Sequence, residues 1–252
     1  MIPRILLGKA ETPDGGKEIC LYQHDKDFSL SVGNIEIMSS RMHESEELLA
    51  RLALKRMEKQ EAPRVLVGGL GMGFTLRAAL DGLSDTARVV VAELVPAVVT
   101  WNRGVLGALA GHPLNDKRVE VREVDAAKMI KGAKGSYDAI LLDVDNGPAG
   151  LSRHGNYWFY GFSGLATILA ALRPEGVLAL WSAGQDNAFT RRMEEVGFEV
   201  ETIRVRARAG GKGAHHLIWI GKKTGDGSSK RSSGKPARES SWRAARGGQG
   251  SY

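Results

Sequence analysis

The sequence predicts an α/β protein: a seven-stranded, mostly parallel sheet ending in an antiparallel hairpin, with a small β segment ahead of it. Two observations lead there. Between residues 63 and 197, short apolar runs alternate with helical stretches. Strands interleaved in this way with helices build a parallel sheet covered on both faces. The last two runs, FEVETIRVRAR and AHHLIWIGKK, are instead joined by the Gly-rich AGGKG, the mark of a hairpin.

Each element follows from local pattern. Residues 1–40 read as a small N-terminal β segment, with EICLYQH and FSLSVGNIEIM as strand material and Pro13-Asp14-Gly15-Gly16 as a turn. Residues 41–62 read as a linking helix. Leu48, Leu49, Leu52, Leu54 and Met57 recur at helical spacing, and Ser45 with Glu46 and Glu47 suits its start. Residues 63–223 form the α/β domain. Its strands are RVLVGG, ARVVVAEL, RVEVREVD, YDAILLDVD and GVLALWSA, then the hairpin; its helices are TLRAALDGL, PAVVTWNRGVLGALA, FSGLATILAALR and AFTRRMEEVG. Residues 224–252 are rich in Gly, Ser, Lys and Arg and nearly free of aliphatics, which predicts a disordered basic tail.

Charge and cysteine usage narrow the partners. The chain has 252 residues and a formal charge of +6, but six cations against two acids place most of that charge after Lys223. The basic pI therefore describes the tail, and nucleic acid is not an expected partner except weakly through it. No apolar run approaches the ~20 residues that cross a bilayer, and MIPRILLGKA is too short for a signal peptide. A single cysteine, Cys20, makes no internal disulfide, and the reading is a cytoplasmic protein with Cys20 as a buried small hydrophobe.

Four features carry candidate chemistry. Gly69, Gly71 and Gly73, with Met72 among them, lie between the first core strand and a helix. Such a turn lets backbone approach a ligand closely and presents the free N–H groups of a helix start. Glu93 ends the next strand, where a carboxylate can accept both ribose hydroxyls of a nucleoside. Asp125-Ala126 follows the third strand, and Asp125 reads equally as an acceptor for an adenine amino group or as a helix N-cap. Asp143, Asp145 and Asn146 follow YDAILL, at the carboxyl end of a central strand, where open α/β sheets bind ligands. One acid there can serve as general base and the other hold a cation, or both can hold a metal. The aromatic run from Tyr157 to Tyr160 can wall an acceptor site or pack a helix on the sheet. His215 and His216 alternate along a strand, which argues against a shared metal site.

Together these residues resemble the spermidine/spermine synthase family, the polyamine aminopropyltransferases, on the Rossmann-like fold of class I methyltransferases. The likeness runs from about Gly33 to Gly176. The family's glycine motif, Gly-Gly-Gly-Asp-Gly-Gly-Thr-Leu-Arg, is matched by Gly69 to Arg77, its ribose Glu by Glu93 and its adenine-contacting Asp by Asp125. Its Asp-Ser-Ser-Asp, whose first Asp deprotonates the attacking amine, falls on Asp143 to Asn146. SSRMHESEELLARLAL looks like the helix that links the family's small N-terminal sheet to its catalytic domain.

Departures concentrate at the amine end. Met72 stands where the family has the Asp that holds the donor's amino group, Ser45 where it has a pocket Tyr, Glu36 where it has a pocket Gln, and Trp181 where another polar pocket residue is usual. A neutral Met72 removes both a cation partner and a carboxylate repeller. The resemblance thus implies a transferase that uses S-adenosylmethionine or its decarboxylated form as donor substrate, with no metal. It implies aminopropyl transfer to a small amine or other nucleophilic acceptor. Asp143 and Asp145 are the implied catalytic acids, and Glu36, Asn146, Tyr157 and Trp181 the substrate-binding set. Glu46 and Glu47, with Glu36, can make the pocket mouth acidic, although acids favour a helix start in any case. A methyltransferase on the same fold, a non-catalytic nucleoside-binding relative and a homodimer remain open at this point.

Overall fold

The computed structural model describes residues 3–12, 18–144, 157–208 and 212–224. The predicted turn at 13–16, Asp145, Asn146 and the tail from residue 225 lie outside the described residues. Four strands, β1 (Arg4–Glu11), β2 (Glu18–His24), β3 (Asp27–Val32) and β4 (Ile35–Ser39), form an antiparallel sheet in that order. The run FSLSVGNIEIM is thereby split into two strands by a turn at Gly33, whose φ is +57°. Helix α1 (Glu44–Arg56) follows and packs Leu49, Ala50 and Ala53 into the core shared with Ile19, Leu21 and Leu30 of the small sheet.

The main sheet contains β5 (Arg64–Gly68), β6 (Arg88–Ala92), β7 (Val119–Arg122), β8 (Tyr137–Leu142), β9 (Leu172–Ser182), β10 (Phe198–Arg208) and β11 (Lys212–Lys223), in the order β10-β11-β9-β8-β5-β6-β7. The five strands from β5 to β9 are parallel, and β11 enters antiparallel between β9 and β10. This is the predicted seven-stranded sheet with its terminal hairpin. Alternation along the strands sorts side chains to two faces. Val65, Val67, Val89, Val91, Ala139 and Leu141 join one core, while Leu66, Val90, Ile140 and Leu142 join the other. On the first face lie α1, α2 (Phe74–Gly82) and α3 (Pro96–Arg103). The second is covered by α4 (Ala126–Lys131), α5 (Tyr157–Tyr160), α6 (Phe162–Ala171) and α7 (Asn187–Val196).

Three local expectations change. The stretch PAVVTWNRGVLGALA is not one helix: α3 stops at Arg103, Gly104 takes a non-helical conformation, and a 3-10 turn covers Gly107–Ala110. Helix α1 is entered from His43 with no side-chain cap; the Ser45 hydroxyl, inside the first turn, is paired with His216 Nδ1 at 2.9 Å. The fifth strand starts earlier than GVLALWSA, with Glu175 at φ +62° where its register against β8 slips.

Candidate functional site

The chain runs from β5 outward to β6 and β7, then returns to place β8 on the other side of β5. That reversal is the switch point at which an open α/β sheet forms a crevice at its carboxyl edge. Backbone hydrogen bonds knit this edge together: Gly69 N–H donates to the Ala92 carbonyl and Asp143 N–H to the Gly68 carbonyl, both at 2.9 Å. Gly69 has φ +87°, and a Cβ there would lie 2.3 Å from the Asp143 carbonyl oxygen, so only glycine fits between the two strand ends.

Glu93 is 8% exposed and is tied to the glycine turn rather than lying open at the strand end. Its two oxygens accept from Leu70 N–H and Val95 N–H, each at 2.8 Å. Burial pushes its carboxyl above the usual range, while backbone N–H groups of Val95, Leu70, Leu94 and Gly71 pull the other way. Main-chain N–H groups thus hold both of its oxygens at the crevice edge. Asp125 caps α4, its Oδ1 accepting from Ala127 N–H at 2.8 Å. The two readings of Asp125 are compatible, because the cap uses one oxygen. Ala126 is buried and packs against Gly68. Gly71 lies beneath Met38 of the small sheet, and Gly73 N-caps α2. Met72 is fully buried in the core, so its side chain presents no surface to the crevice.

A second group of polar residues adjoins the end of β8. Asp143 Oδ2 accepts from Thr75 Oγ1 at 3.1 Å, and the same hydroxyl lies 3.2 Å from the Glu46 carbonyl oxygen. Burial pushes the Asp143 carboxyl up to about 6, with the threonine bond opposing the shift. Glu46 is 7% exposed and is raised well above the ordinary range by burial first, then by the charges of Asp143 and Glu47. Beside it, Ser45 pairs with His216, and the rings of His216 and Trp181 meet edge to face at 4.6 Å. His43 stacks on Phe74 at 4.2 Å and pairs with Glu47. A carboxylate of ordinary basicity is poorly matched to an ammonium of pKa ~10, whereas one raised toward neutrality is better suited to take its proton.

The structure thus brings Gly69, Glu93 and Asp143 to one edge, places Glu46, read as an acid of the pocket mouth, beside them, and adds Thr75 and His216, to which the sequence pattern assigns no such role. Thr75 lies inside the matched glycine motif without a function of its own there. Glu46 reads with the helix-start acids, and His216 pairs with a residue 171 positions away. Other candidates stand elsewhere. Glu36 pairs with Ser31 across a register slip and lines a cavity of the small sheet with Arg4, His24 and Asp27; among the described residues, none at a strand end of the main sheet lines it. Tyr157 is 57% exposed, while Phe159 and Tyr160 pack beneath the sheet. His215 is exposed and His216 half-buried, as alternation requires. Cys20 is buried. Among the described residues, no group of three or more His, Cys, Asp and Glu side chains stands together. No helix among them is long and apolar enough to cross a membrane.

A glycine turn and strand-end carboxylates meet at the switch point of a Rossmann-like sheet, where open α/β sheets form their ligand crevice. The chain belongs to the spermine/spermidine synthase family, whose domain matches residues 42–199. It is 30% identical over 167 residues to a polyamine aminopropyltransferase of Oceanobacillus iheyensis, covering 64% of this chain and 31% of that protein. A polyamine aminopropyltransferase of Prochlorococcus marinus is 28% identical over 142 residues, 56% of this chain and 47% of the relative. The chain therefore spans less than half the length of either relative. In fold it is similar to the spermidine synthase of Thermotoga maritima, with a TM-score of 0.68, 17% identity, and coverage of 88% of this chain and 74% of that one. A spermidine synthase in complex with the transition-state analogue AdoDATO also has a TM-score of 0.68, at 17% identity, covering 88% of this chain and 73% of that one.

Proposed function

We propose that this chain transfers an aminopropyl group from decarboxylated S-adenosylmethionine to a small aliphatic amine. The observation that carries the reading is the adjacency of two ends of one crevice. Glu93 and the glycine turn offer acceptors and backbone to a nucleoside, and Asp143 with Glu46 offers carboxylates to an amine. Family membership and the similarity to polyamine aminopropyltransferases support it.

In this reading Glu93 accepts the ribose hydroxyls and Asp125 the adenine amino group through its second oxygen. The acceptor nitrogen attacks the carbon next to the sulfonium; a C–N bond forms as the C–S bond breaks. The sulfur leaves as the neutral thioether of methylthioadenosine. Asp143 takes the amine's excess proton, so charge and atoms balance. Thr75 holds one Asp143 oxygen in place, leaving the other toward the amine. The sulfonium supplies its own leaving group, so the protein's work is orientation, removal of water and removal of a proton. The test is incubation of the full chain with decarboxylated S-adenosylmethionine and a diamine. Formation of methylthioadenosine and a longer polyamine in equal amounts is the expected result. Methyl transfer from S-adenosylmethionine, with no thioether released from the decarboxylated donor, would overturn the reading.

A further inference from the structure

The small sheet turns Leu21, Leu30 and Met38 toward the core, and its other face is polar. Strand pairing sets the rows on that face. Arg4 stands across from His24 and His24 from Asp27; Tyr22 stands across from Ser29 and Ser29 from Ser39; Ser31 stands across from Glu36. Side chains paired in this way lie side by side. They open a cavity of about 190 Å³, lined by Arg4, Asp27, Glu36, Ser39 and Arg41 among others. That is the liquid volume of roughly six waters, room for a small molecule only.

Arg4 reaches across the sheet from β1. Its guanidinium stacks on the Tyr22 ring at 3.8 Å, and Nη2 donates to Ser31 Oγ at 2.9 Å and to Ser29 Oγ at 3.1 Å. The head is thus fixed by neutral groups, and its Nε and Nη1 donors remain. Among the described residues it has no carboxylate partner. Asp27 faces Arg41 at 3.6 Å, whereas Glu36 has neither an ion pair nor a side-chain hydrogen bond among those residues. Ser31, which Arg4 holds, is the cross-strand neighbour of Glu36, so the two unpaired charges stand close without joining. Ser39 is 4% exposed and lines the same cavity, and its hydroxyl has no partner among the described residues. A lone anion in this cavity would be repelled by Glu36, and a lone cation by Arg4. A molecule that carries both charges satisfies both groups. A carboxylate accepts from a guanidinium and a hydroxyl, and an ammonium donates to a carboxylate.

We infer that this cavity binds the zwitterion of a small amino acid, its carboxylate on Arg4 and the Ser39 hydroxyl and its ammonium on Glu36. The site is apart from the crevice and does not depend on the transferase reading. It adjoins the glycine turn through one residue: Met38, between Glu36 and Ser39 on β4, lies over Gly71.

The test is calorimetry on the full chain with four probes: L-alanine and L-serine, and propionate and ethylamine, which keep one charge each. At least one amino acid should bind, and each one-charge probe should bind about tenfold or more weakly than it, the worth of one charge-assisted hydrogen bond. Arg4→Met keeps an apolar stem over Tyr22, and Glu36→Gln keeps the shape of the acid. Each should weaken the amino acid by about the same factor. Ethylamine should lose more in Glu36→Gln and propionate more in Arg4→Met. Glu36 is exposed, so its variant should melt with the native chain. If Arg4→Met unfolds the small sheet, Glu36→Gln decides alone. A native chain that binds neither amino acid overturns the inference. So does binding kept within about twofold in Glu36→Gln, or propionate held as tightly as the amino acid.

Discussion

The two ends of the crevice are built differently. At the proposed nucleoside end, every part comes from the backbone or from a residue just beyond a strand: Gly69 after β5, Glu93 after β6, Asp125 after β7. Their partners are near in sequence or are main-chain groups, as with Val95 N–H on Glu93 and Ala127 N–H on Asp125. At the proposed amine end, α1, α2, β9 and β11 and the end of β8 each send one or two side chains: Ser45 and Glu46, Thr75, Trp181, His216 and Asp143. A backbone-built site tolerates change in its side chains. A site assembled from five elements can be respecified by one substitution, and two of the departures from the family's pattern, Ser45 and Trp181, fall there.

If that contrast holds, a change at the amine end should abolish chemistry and leave nucleoside binding alone. Asp143→Asn is expected to lower turnover by about 10²-fold or more while methylthioadenosine affinity stays within about twofold. Comparable loss of both would mean that the two ends are not separable. The pH dependence sharpens the point. With Asp143 raised from 3.8 to about 6, the native chain keeps a proton that the unfolded chain has released. This contribution to stability is complete below about pH 4 and is lost as pH rises through about 6. Glu46 acts in the same direction. Thermal melts should show a decline across this window that is smaller in Asp143→Asn, whereas turnover of the native chain should rise across it as the base ionises. A turnover that is flat between about pH 5 and 7 would remove Asp143 as the base.

The converse experiment is Glu93→Gln. The amide keeps one acceptor oxygen, but its NH2 faces a backbone N–H, so Leu70 or Val95 loses its partner. Methylthioadenosine affinity should fall by about 1.5–3 kcal/mol, roughly ten- to a hundredfold, with a lowered melting temperature. Putrescine binding should change less. Unchanged nucleoside affinity with the lowered melt would make Glu93 a clasp for the glycine turn and no more.

The same contrast explains what the sequence could reveal. The sheet was legible because alternating strands and helices leave period-two and period-3.6 patterns, and the short apolar runs Val65 to Val67 and Val89 to Val91 suit buried strand. The glycine turn and Glu93 were legible because their spacing is fixed by one strand and one helix. The burial of Glu46 was not: three acids at a helix start look alike in sequence, and which one turns inward depends on α2 and β8 packing against α1. Ser45 does stand in the first turn of α1, but its bond to His216 of the far hairpin leaves no local pattern in the sequence. Met72 looks like a pocket position by its place in the motif, and only the packed core shows it enclosed.

The smallest expected effect separates the two uses of Asp125. Its Oδ1 caps α4, and a cap of this kind is worth about 1 kcal/mol. Asn serves as well as Asp at an N-cap, because its amide oxygen accepts the same bond. Asp125→Asn should therefore melt within about a degree of the native chain, while Asp125→Ala loses about 1 kcal/mol of stability. Ligand binding should rank them differently. In the Asp125→Asn variant the cap oxygen is kept but the second acceptor becomes a donor, which opposes an adenine amino group instead of receiving it. If Asp125 holds adenine, its replacement by Asn should weaken methylthioadenosine several-fold with no change in melting, and by Ala at least as much. If the Asn variant binds the nucleoside like the native chain, the residue is a cap alone. Recognition of the base then passes to the main chain, which would make the nucleoside end still more a backbone site than its two carboxylates suggest.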